Sequence, residues 1–178
     1  MSSSTLLKPL LTREQIERRI AELAENIRDH YGDETFLAVG VLKGSFLFLA
    51  DLIRLLGENV LVDFVLVSSY GDGKESSGIV QIRKDLDINI EGKNVLIVED
   101  IVDTGATLSH LLELLWTRRP NSLKVVSLLS KPEARRQEAP IDFVGFEIPN
   151  EFVVGYGLDH AERYRNLPYI AVLSGLTP

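Results

Sequence analysis

Cysteine is absent from this chain of 178 residues. Its absence excludes disulfide bridges, cysteine nucleophiles and thiolate metal sites. It is also consistent with the cytoplasm, where we expect the protein to reside. The three histidines, His30, His110 and His160, lie far apart in the sequence and show no zinc-ligand spacing. We therefore expect neither a zinc site nor cysteine chemistry.

Long apolar runs are missing as well. No stretch approaches the ~18 residues of a membrane span, and Met1–Thr5 lacks the charged and apolar regions of a signal peptide. The net charge of -7 disfavours nonspecific binding of nucleic acid, which needs a basic face. We expect no membrane and no nucleic-acid partner, although a local basic patch would suffice for a phosphorylated small molecule.

Hydrophobic residues make up 45% and charged residues 25% of the chain, which is typical of a globular protein. We expect one domain over residues 1–178. Thr12 and Gln15 fit a helix capping box, and apolar residues follow at helical spacing as far as Ile27. Apolar strands then alternate with helices, which predicts an α/β fold with a central, mostly parallel sheet flanked by helices. The predicted strands are Phe36–Leu42, Val60–Val67, Val95–Glu99 and Leu123–Leu129, and the predicted helices between them are Phe46–Leu56 and Leu108–Thr117.

The pattern becomes irregular after Pro132, with short strands expected at 143–146, 152–154 and 170–173. We expect residues of about 131–178 and the N-terminal segment to form a small hood lobe over the sheet, whose core comprises about 35–130. Ser68–Gly78 is rich in glycine and serine, which predicts a mobile loop or an open hairpin. Ile79–Arg83 is expected to pair back against the preceding strand.

The segment VLIVEDIVDTGATL, from Val95 to Leu108, is the most informative in the sequence. It begins as an apolar strand and ends as a helix. Three acidic residues, Glu99, Asp100 and Asp103, lie at the carboxyl end of the strand, at the edge where open α/β sheets bind ligands. Backbone N–H groups at the start of the helix can hold a phosphate, whose charge the helix dipole favours.

A simple helix cap by Asp103 or Thr104 is the alternative interpretation of this segment. Capping does not explain Glu99 and Asp100, because adjacent carboxylates repel each other unless a cation or the hydroxyls of a ligand bind them. A long motif in its required strand, loop and helix context also favours a phosphate site.

The segment closely resembles the phosphoribosyl-pyrophosphate motif of the type I phosphoribosyltransferases, in the form of the hypoxanthine–guanine branch. The resemblance extends over about residues 36–173. It implies that Glu99 and Asp100 face the ribose hydroxyls, directly or through Mg²⁺. It also implies a binding site for the 5′-phosphate of the substrate, formed by Asp103, Thr104, Gly105, Ala106 and Thr107.

Other motifs follow in the order of the family. The resemblance implies a pyrophosphate-binding turn at Lys43 and Gly44, and we expect the Lys43–Gly44 bond to be cis or otherwise strained. Arg165 is implied to bind pyrophosphate through its forked donors. Ser69 and Tyr70 open the glycine-rich segment, which is implied to be a flexible loop that closes over the active site and excludes water.

The purine site is implied by residues late in the chain. Lys131 is implied to donate a hydrogen bond to the 6-oxo group of the purine, and Phe152 to stack on the ring. Val153 would offer backbone groups to the edge of the base. Asp159 is implied to contact Mg²⁺, with water completing the coordination shell.

The implied reaction transfers the phosphoribosyl group of phosphoribosyl pyrophosphate to hypoxanthine or guanine, with Mg²⁺ as the cofactor. Asp103 is our candidate for handling the N7 proton of the purine. One alternative is a regulatory, RNA-binding protein of the same fold, which the acidic charge disfavours. Another is a transferase for a different base, which Lys131, Phe152 and Asp103 disfavour. The resemblance also implies a homo-oligomer, either a dimer or a tetramer.

Overall fold

The computed structural model describes residues 6–69 and 80–174, which form two sheets and three α-helices. The helices are α1 (Arg13–Tyr31), α2 (Phe46–Leu56) and α3 (Ala106–Trp116). The strands are β1 (Leu6–Leu11), β2 (Phe36–Leu42), β3 (Val60–Ser69), β4 (Val80–Lys84), β5 (Asn94–Val102), β6 (Ser122–Ser130), β7 (Phe143–Glu147), β8 (Val153–Val154) and β9 (Ile170–Ser174). A short 3₁₀ helix, Pro132–Ala134, follows β6.

The main sheet has six strands in the order β4-β3-β2-β5-β6-β7, and all its pairings are parallel except that of β3 with β4. Helices α1 and α2 cover one face and α3 covers the other. Along β5, Leu96 and Val98 face α1 and α2, whereas Val95 and Ile97 face the side of α3. Because helices cover both faces of the sheet, its central strands are continuously apolar. The predicted α/β fold is confirmed.

Helix α1 begins as the sequence predicts. Thr12 and Gln15 form the reciprocal capping box, and the predicted apolar face is buried against the sheet. Helix α2 has the predicted bounds. These local signals suffice because capping and amphipathic spacing depend only on near neighbours in the chain. Among the described residues, no helix has the length and apolar character needed to cross a membrane.

A second sheet of three strands, in the order β1-β9-β8, is antiparallel and joins the two ends of the described chain. The short strand at 143–147, which we expect in the hood, lies instead at the edge of the main sheet beside β6. Arg19 of α1 donates to the carbonyls of Val144 and Gly145, at 2.8 Å in each case. A short apolar run indicates a strand, but these distant contacts decide which sheet it joins.

Two other boundaries differ from the prediction. Strand β5 continues to Val102 because it stays paired with β6. Asp100 therefore lies in the strand and not in the turn that we expect between Glu99 and the helix. Strand β3 continues to Ser69, paired with β4 as the expected hairpin, so the predicted loop begins later. Tyr70 and the rest of that loop up to residue 79 lie outside the described residues.

Candidate active site

A cavity of about 450 Å³ opens at the carboxyl edge of the main sheet. Its walls come from the ends of β2, β5 and β6 and from the segment around β8. The cavity brings together most of the residues that the sequence predicts, namely Lys43, Gly44, Glu99, Asp100, Asp103, Lys131, Phe152, Val153, Asp159 and Arg165. An adjoining cavity of about 210 Å³ is lined by Asp103, Thr104, Gly105 and Thr107. Ala106 begins α3 beside it.

Glu99 and Asp100, which we call the acidic floor, lie at the end of β5. Burial raises the pKa of Glu99 well above its usual range, and the charge of Asp100 raises it further. Burial also raises the pKa of Asp100 to about 6, against the opposing effects of backbone N–H groups and Arg165. Neither carboxylate has a salt-bridge partner among the described residues. The floor is therefore suited to a cation or to hydroxyl donors from a ligand.

Three carboxylates, Glu99, Asp100 and Asp159, face the same cavity, and oxygen ligands of this kind suit Mg²⁺. Within residues 6–69 and 80–174, no three acidic or histidine side chains are close enough to hold a metal by themselves. Mg²⁺ commonly binds through one or two carboxylates together with oxygens of a substrate phosphate. The donor set fits Mg²⁺ that enters with a phosphorylated substrate.

The turn after β2 packs directly against the acidic floor. A Cβ atom at Gly44 would lie 1.6 Å from Oδ2 of Asp100, and one at Gly157 would lie 2.1 Å from the carbonyl oxygen of Gly44. The backbone leaves no room for a methyl group at Gly157, whereas at Gly44 either the turn or the carboxylate of Asp100 would have to move. The cis peptide bond joins Leu42 to Lys43, so the prediction of the Lys43–Gly44 bond was wrong by one position. The irregular bond lies where β2 ends.

The loop from β5 to α3 leaves the start of the helix without a side-chain cap. Gly105 precedes α3 with φ of 86° and provides no side-chain cap, while the hydroxyl of Thr104 accepts only a long bond of 3.4 Å from the N–H of Ala106. Within the described part of the chain, Asp103 does not cap the helix, as the alternative interpretation would require. Its carboxylate instead accepts a hydrogen bond from Nζ of Lys131 at 3.3 Å. The N-terminus of α3 thus presents backbone N–H groups to the adjoining cavity.

Lys131 and Phe152 both line the main cavity but differ in exposure. Lys131 is buried after β6, and its ammonium group pairs with Asp103. Phe152 is 47% exposed, which is unusual for a large aromatic side chain, and its ring meets His160 edge-to-face. Val153 is buried in β8. A flat ligand would find an aromatic face and a charged hydrogen-bond donor in one space.

A second set of charged residues lines the same cavity, and we call it the charged rim: Lys43, Asp159, Glu162 and Arg165. Nη2 of Arg165 lies 2.9 Å from Oδ1 of Asp159, and its Nη1 donates to the carbonyl of Gly157 at 2.7 Å. Oε2 of Glu162 accepts from Nζ of Lys43 at 3.1 Å and from Nη2 of Arg165 at 3.3 Å. Lys43 and then Arg165 lower the pKa of Glu162.

Sequence reasoning missed two residues in this region, Arg135 and Glu162. Arg135 donates to the carbonyls of Val102, Asp103 and Ala139 and to the hydroxyl of Ser130, so that it joins the loop between β5 and α3 to the end of β6. It lies in the polar stretch EARRQE, where no pattern distinguishes it from a solvated side chain. The only available signal for Glu162 is its position three residues before Arg165.

A family model described as "Phosphoribosyl transferase domain" matches residues 8–161. The chain belongs to the phosphoribosyltransferase family. The resemblance drawn from the motif at the end of β5 is therefore confirmed, and so is the type I phosphoribosyltransferase fold.

Individual phosphoribosyltransferases are similar over nearly the whole chain. The "Hypoxanthine-guanine phosphoribosyltransferase" of Bacillus subtilis (strain 168) is 51% identical over 173 residues, which cover 97% of this chain and 96% of that protein. The "Hypoxanthine phosphoribosyltransferase" of Escherichia coli (strain K12) is 50% identical over 163 residues, with 90% and 92% covered. A crystal structure of a hypoxanthine-guanine phosphoribosyltransferase from Bacillus anthracis superimposes with a TM-score of 0.89 at 47% identity and covers 93% of this chain and 97% of that one. These relatives identify the chain as a transferase of the hypoxanthine–guanine branch.

Proposed function

We propose that this protein transfers the 5-phosphoribosyl group from phosphoribosyl pyrophosphate to N9 of hypoxanthine or guanine, giving IMP or GMP and pyrophosphate. The observation that carries the proposal is the Asp103–Lys131 pair: both residues line the main cavity with the exposed ring of Phe152, and Asp103 also lines the adjoining cavity at the start of α3. The reaction needs a proton acceptor beside N7 of the purine and a hydrogen-bond donor beside the neighbouring 6-oxo group. The pair supplies both.

The phosphoribosyl donor would extend across the two cavities. Its 5′-phosphate would accept hydrogen bonds from Thr104, Gly105, Ala106 and Thr107, at the positive end of α3. Its ribose hydroxyls would donate to the acidic floor. Its pyrophosphate would bind Lys43, the backbone of Gly44 and Arg165. When bound, Mg²⁺ would neutralise charge on the pyrophosphate, held by Asp159 and by Glu99 or Asp100.

The purine would stack on Phe152, with its edge against the backbone of Val153 and its 6-oxo group accepting from Lys131. The bond between C1 of the ribose and pyrophosphate breaks ahead of attack by N9, which leaves positive charge on the ribose. As N9 becomes bonded, the proton on N7 is lost, and the carboxylate of Asp103 accepts it. Lys131 would turn from Asp103 towards the base when the base binds.

A panel of hypoxanthine, guanine, xanthine, adenine and uracil with phosphoribosyl pyrophosphate, with and without Mg²⁺, tests the proposal. We expect Mg²⁺-dependent formation of IMP and GMP and far slower reaction of adenine. Lys131 is a donor suited to a 6-oxo group, and a 6-amino group would leave it unpaired in a buried site. A preference for adenine or uracil would refute the assignment.

The remaining parts of the proposal concern the whole molecule. We propose that residues 1–178 act as one catalytic domain in the cytoplasm, that the segment opened by Ser69 and Tyr70 closes over the bound substrates, and that the chain assembles as a homo-oligomer, either a dimer or a tetramer. Light scattering at micromolar concentration tests the assembly, and a mass of one chain would contradict it. Hydrogen exchange with and without substrates tests the closure, and equal protection in both states would contradict it.

A further inference from the structure

Glu162 bridges the two side-chain cations that the proposed function assigns to pyrophosphate. One of its oxygens, Oε2, accepts from Nζ of Lys43 at 3.1 Å and from Nη2 of Arg165 at 3.3 Å. Lys43 follows β2, whereas Arg165 lies on the loop between β8 and β9, so these cations converge from distant parts of the chain. A single anionic oxygen between them has the charge and hydrogen-bonding pattern that an oxygen of pyrophosphate would present.

The backbone holds Glu162 in this place independently of its side chain. Its N–H donates to Oδ2 of Asp159 at 2.8 Å, and its φ of 62° lies in the left-handed region. Ala161 and Tyr164 on either side also have positive φ values, 51° and 76°. Non-glycine residues adopt this conformation only where their surroundings impose it. The loop therefore presents the carboxylate to the rim before any ligand arrives.

We propose that Glu162 is an internal competitor of pyrophosphate: its carboxylate occupies Lys43 and Arg165 in the free enzyme, and the pyrophosphate group must displace it to bind. The inference rests on the proposed function, in which these two residues bind the pyrophosphate of the donor and of the product. Glu162 thereby sets the affinity of the site for this group and returns to the cations when the product leaves.

The contacts of Glu162 are weak enough for such an exchange. The side chains of Lys43 and Glu162 are 58% and 66% exposed, whereas that of Arg165 is 19% exposed. Ion pairs between exposed side chains are typically worth about a 1.5- to 5-fold factor in an equilibrium constant. Pyrophosphate brings more negative charge and more oxygens than one carboxylate and can engage both cations and Mg²⁺ at once. It therefore displaces Glu162 at a modest cost in affinity.

The test is Glu162→Gln, which keeps the shape of the side chain and the backbone hydrogen bond to Asp159 but removes the charge. We expect pyrophosphate with Mg²⁺ and phosphoribosyl pyrophosphate with Mg²⁺ to bind about 3- to 10-fold more tightly by isothermal titration calorimetry, because the ion pairs of Glu162 with the exposed Lys43 and the partly buried Arg165 no longer compete. Inhibition of IMP synthesis by pyrophosphate should strengthen by the same factor. IMP carries no pyrophosphate, and its affinity should not change.

Glu151→Gln is the matched control, because Glu151 is an exposed residue next to Phe152 in the chain and the change in net charge is identical. Glu162→Ala is a second variant that removes the carboxylate entirely, and it should tighten binding as well. In a Lys43→Met background, the gain from Glu162→Gln should shrink, since one of the two competing pairs is already gone.

Pyrophosphate binding that is unchanged or weaker in both Glu162 variants, relative to Glu151→Gln, would overturn the inference and identify Glu162 as an ordinary surface ion pair. An equal gain for IMP would overturn it too, because the effect would then be a general change in charge. Failure of the proposed function looks different: the unmodified protein would neither bind phosphoribosyl pyrophosphate nor form IMP, and the inference would fall with it.

Discussion

The acidic floor and the charged rim line the same cavity, but their charged side chains differ in whether they have partners of opposite charge. On the floor, Glu99 and Asp100 are held without cationic partners among the described residues, and burial raises the pKa of each. On the rim, Glu162 and Arg165 are paired with neighbours of opposite charge, and those neighbours lower the pKa of Glu162. One region lacks counter-charges, and the other already contains them.

This difference determines what ligand binding does in each region. A cation or a hydroxyl that reaches the floor relieves an unfavourable burial of carboxylates, so it gains interactions there. An anion that reaches the rim exchanges existing partners, so it gains less. Removing the charge of Asp100 should therefore stabilise the free protein, whereas removing the charge of Glu162 should strengthen the binding of pyrophosphate.

The largest effect is expected at Asp103, where the chain leaves the floor and meets Lys131. Asp103→Asn keeps the size of the side chain but removes the base, so kcat should fall by about 10²–10⁴-fold, the usual range for acid–base assistance. The affinity for phosphoribosyl pyrophosphate should change much less, because backbone N–H groups hold the phosphate. Steady-state kinetics and calorimetry on one sample separate the two quantities.

Asp29→Asn, on the exposed side of α1, is the control for the Asp103 variant and should behave as the unmodified enzyme. A nearly normal kcat in Asp103→Asn would remove Asp103 from catalysis. If the affinity for phosphoribosyl pyrophosphate falls by the same factor as kcat, Asp103 acts in substrate binding.

The second prediction concerns Gly44, where floor and rim touch. In Gly44→Ala the new methyl group would lie 1.6 Å from Oδ2 of Asp100, so either the turn or the carboxylate must move. Misplacement of about 1 Å in an active site can cost roughly 10²-fold in rate, and we expect kcat/KM to fall by that order. Steady-state kinetics with hypoxanthine as the substrate measures the change.

Gly57→Ala is the control for Gly44→Ala, since no described atom would lie within 4 Å of a Cβ atom at Gly57, which ends α2 and does not line the cavity. Its φ of 85° disfavours alanine, so this variant should lose some stability but keep its activity. Activity within about threefold of the unmodified enzyme in Gly44→Ala would show that the turn adapts.

The smallest effect concerns the stability of the floor as pH changes. Folding raises the pKa of Asp100 from 3.8 to about 6, so the folded protein binds this proton more tightly than the unfolded chain does. The contribution of Asp100 to stability is therefore most favourable below pH 4 and is lost as pH rises through 6. Asp100→Asn should raise the free energy of unfolding at pH 8, because it removes a charge that burial disfavours. The expected increase is about 1–2 kcal/mol, less than the full shift in pKa implies, since the partly exposed side chain is screened by water.

Thermal melts of Asp100→Asn and Asp29→Asn at pH 5 and pH 8 test this prediction. The increase in melting temperature of Asp100→Asn relative to Asp29→Asn should be larger at pH 8 than at pH 5. An increase in melting temperature that is independent of pH would mean that burial does not destabilise the charged carboxylate of Asp100. Activity of Asp100→Asn should fall in the same experiment, since the floor loses a ligand for the ribose or Mg²⁺.

The sequence by itself determined the local elements and the family. The capping box of Thr12 and Gln15, the bounds of α2 and the strand–loop–helix order around Asp103 all depend on residues within a few positions of one another. Apolar periodicity and turn chemistry act over that range, so a linear pattern carries them. The family motif is likewise contiguous, and the similarity to known phosphoribosyltransferases confirms what it implies about the fold.

Only the tertiary structure decided which side chains become partners. Lys43 and Glu162 are 119 positions apart, and Arg135 and the carbonyl of Asp103 are 32 apart. A charged residue in a polar stretch looks the same in sequence whether it is solvated or bound, because its partner is set by how the strands and loops pack. The edge position of β7, the Asp103–Lys131 pair and the contact of Glu162 with Lys43 all arise from such long-range packing, which no local pattern encodes.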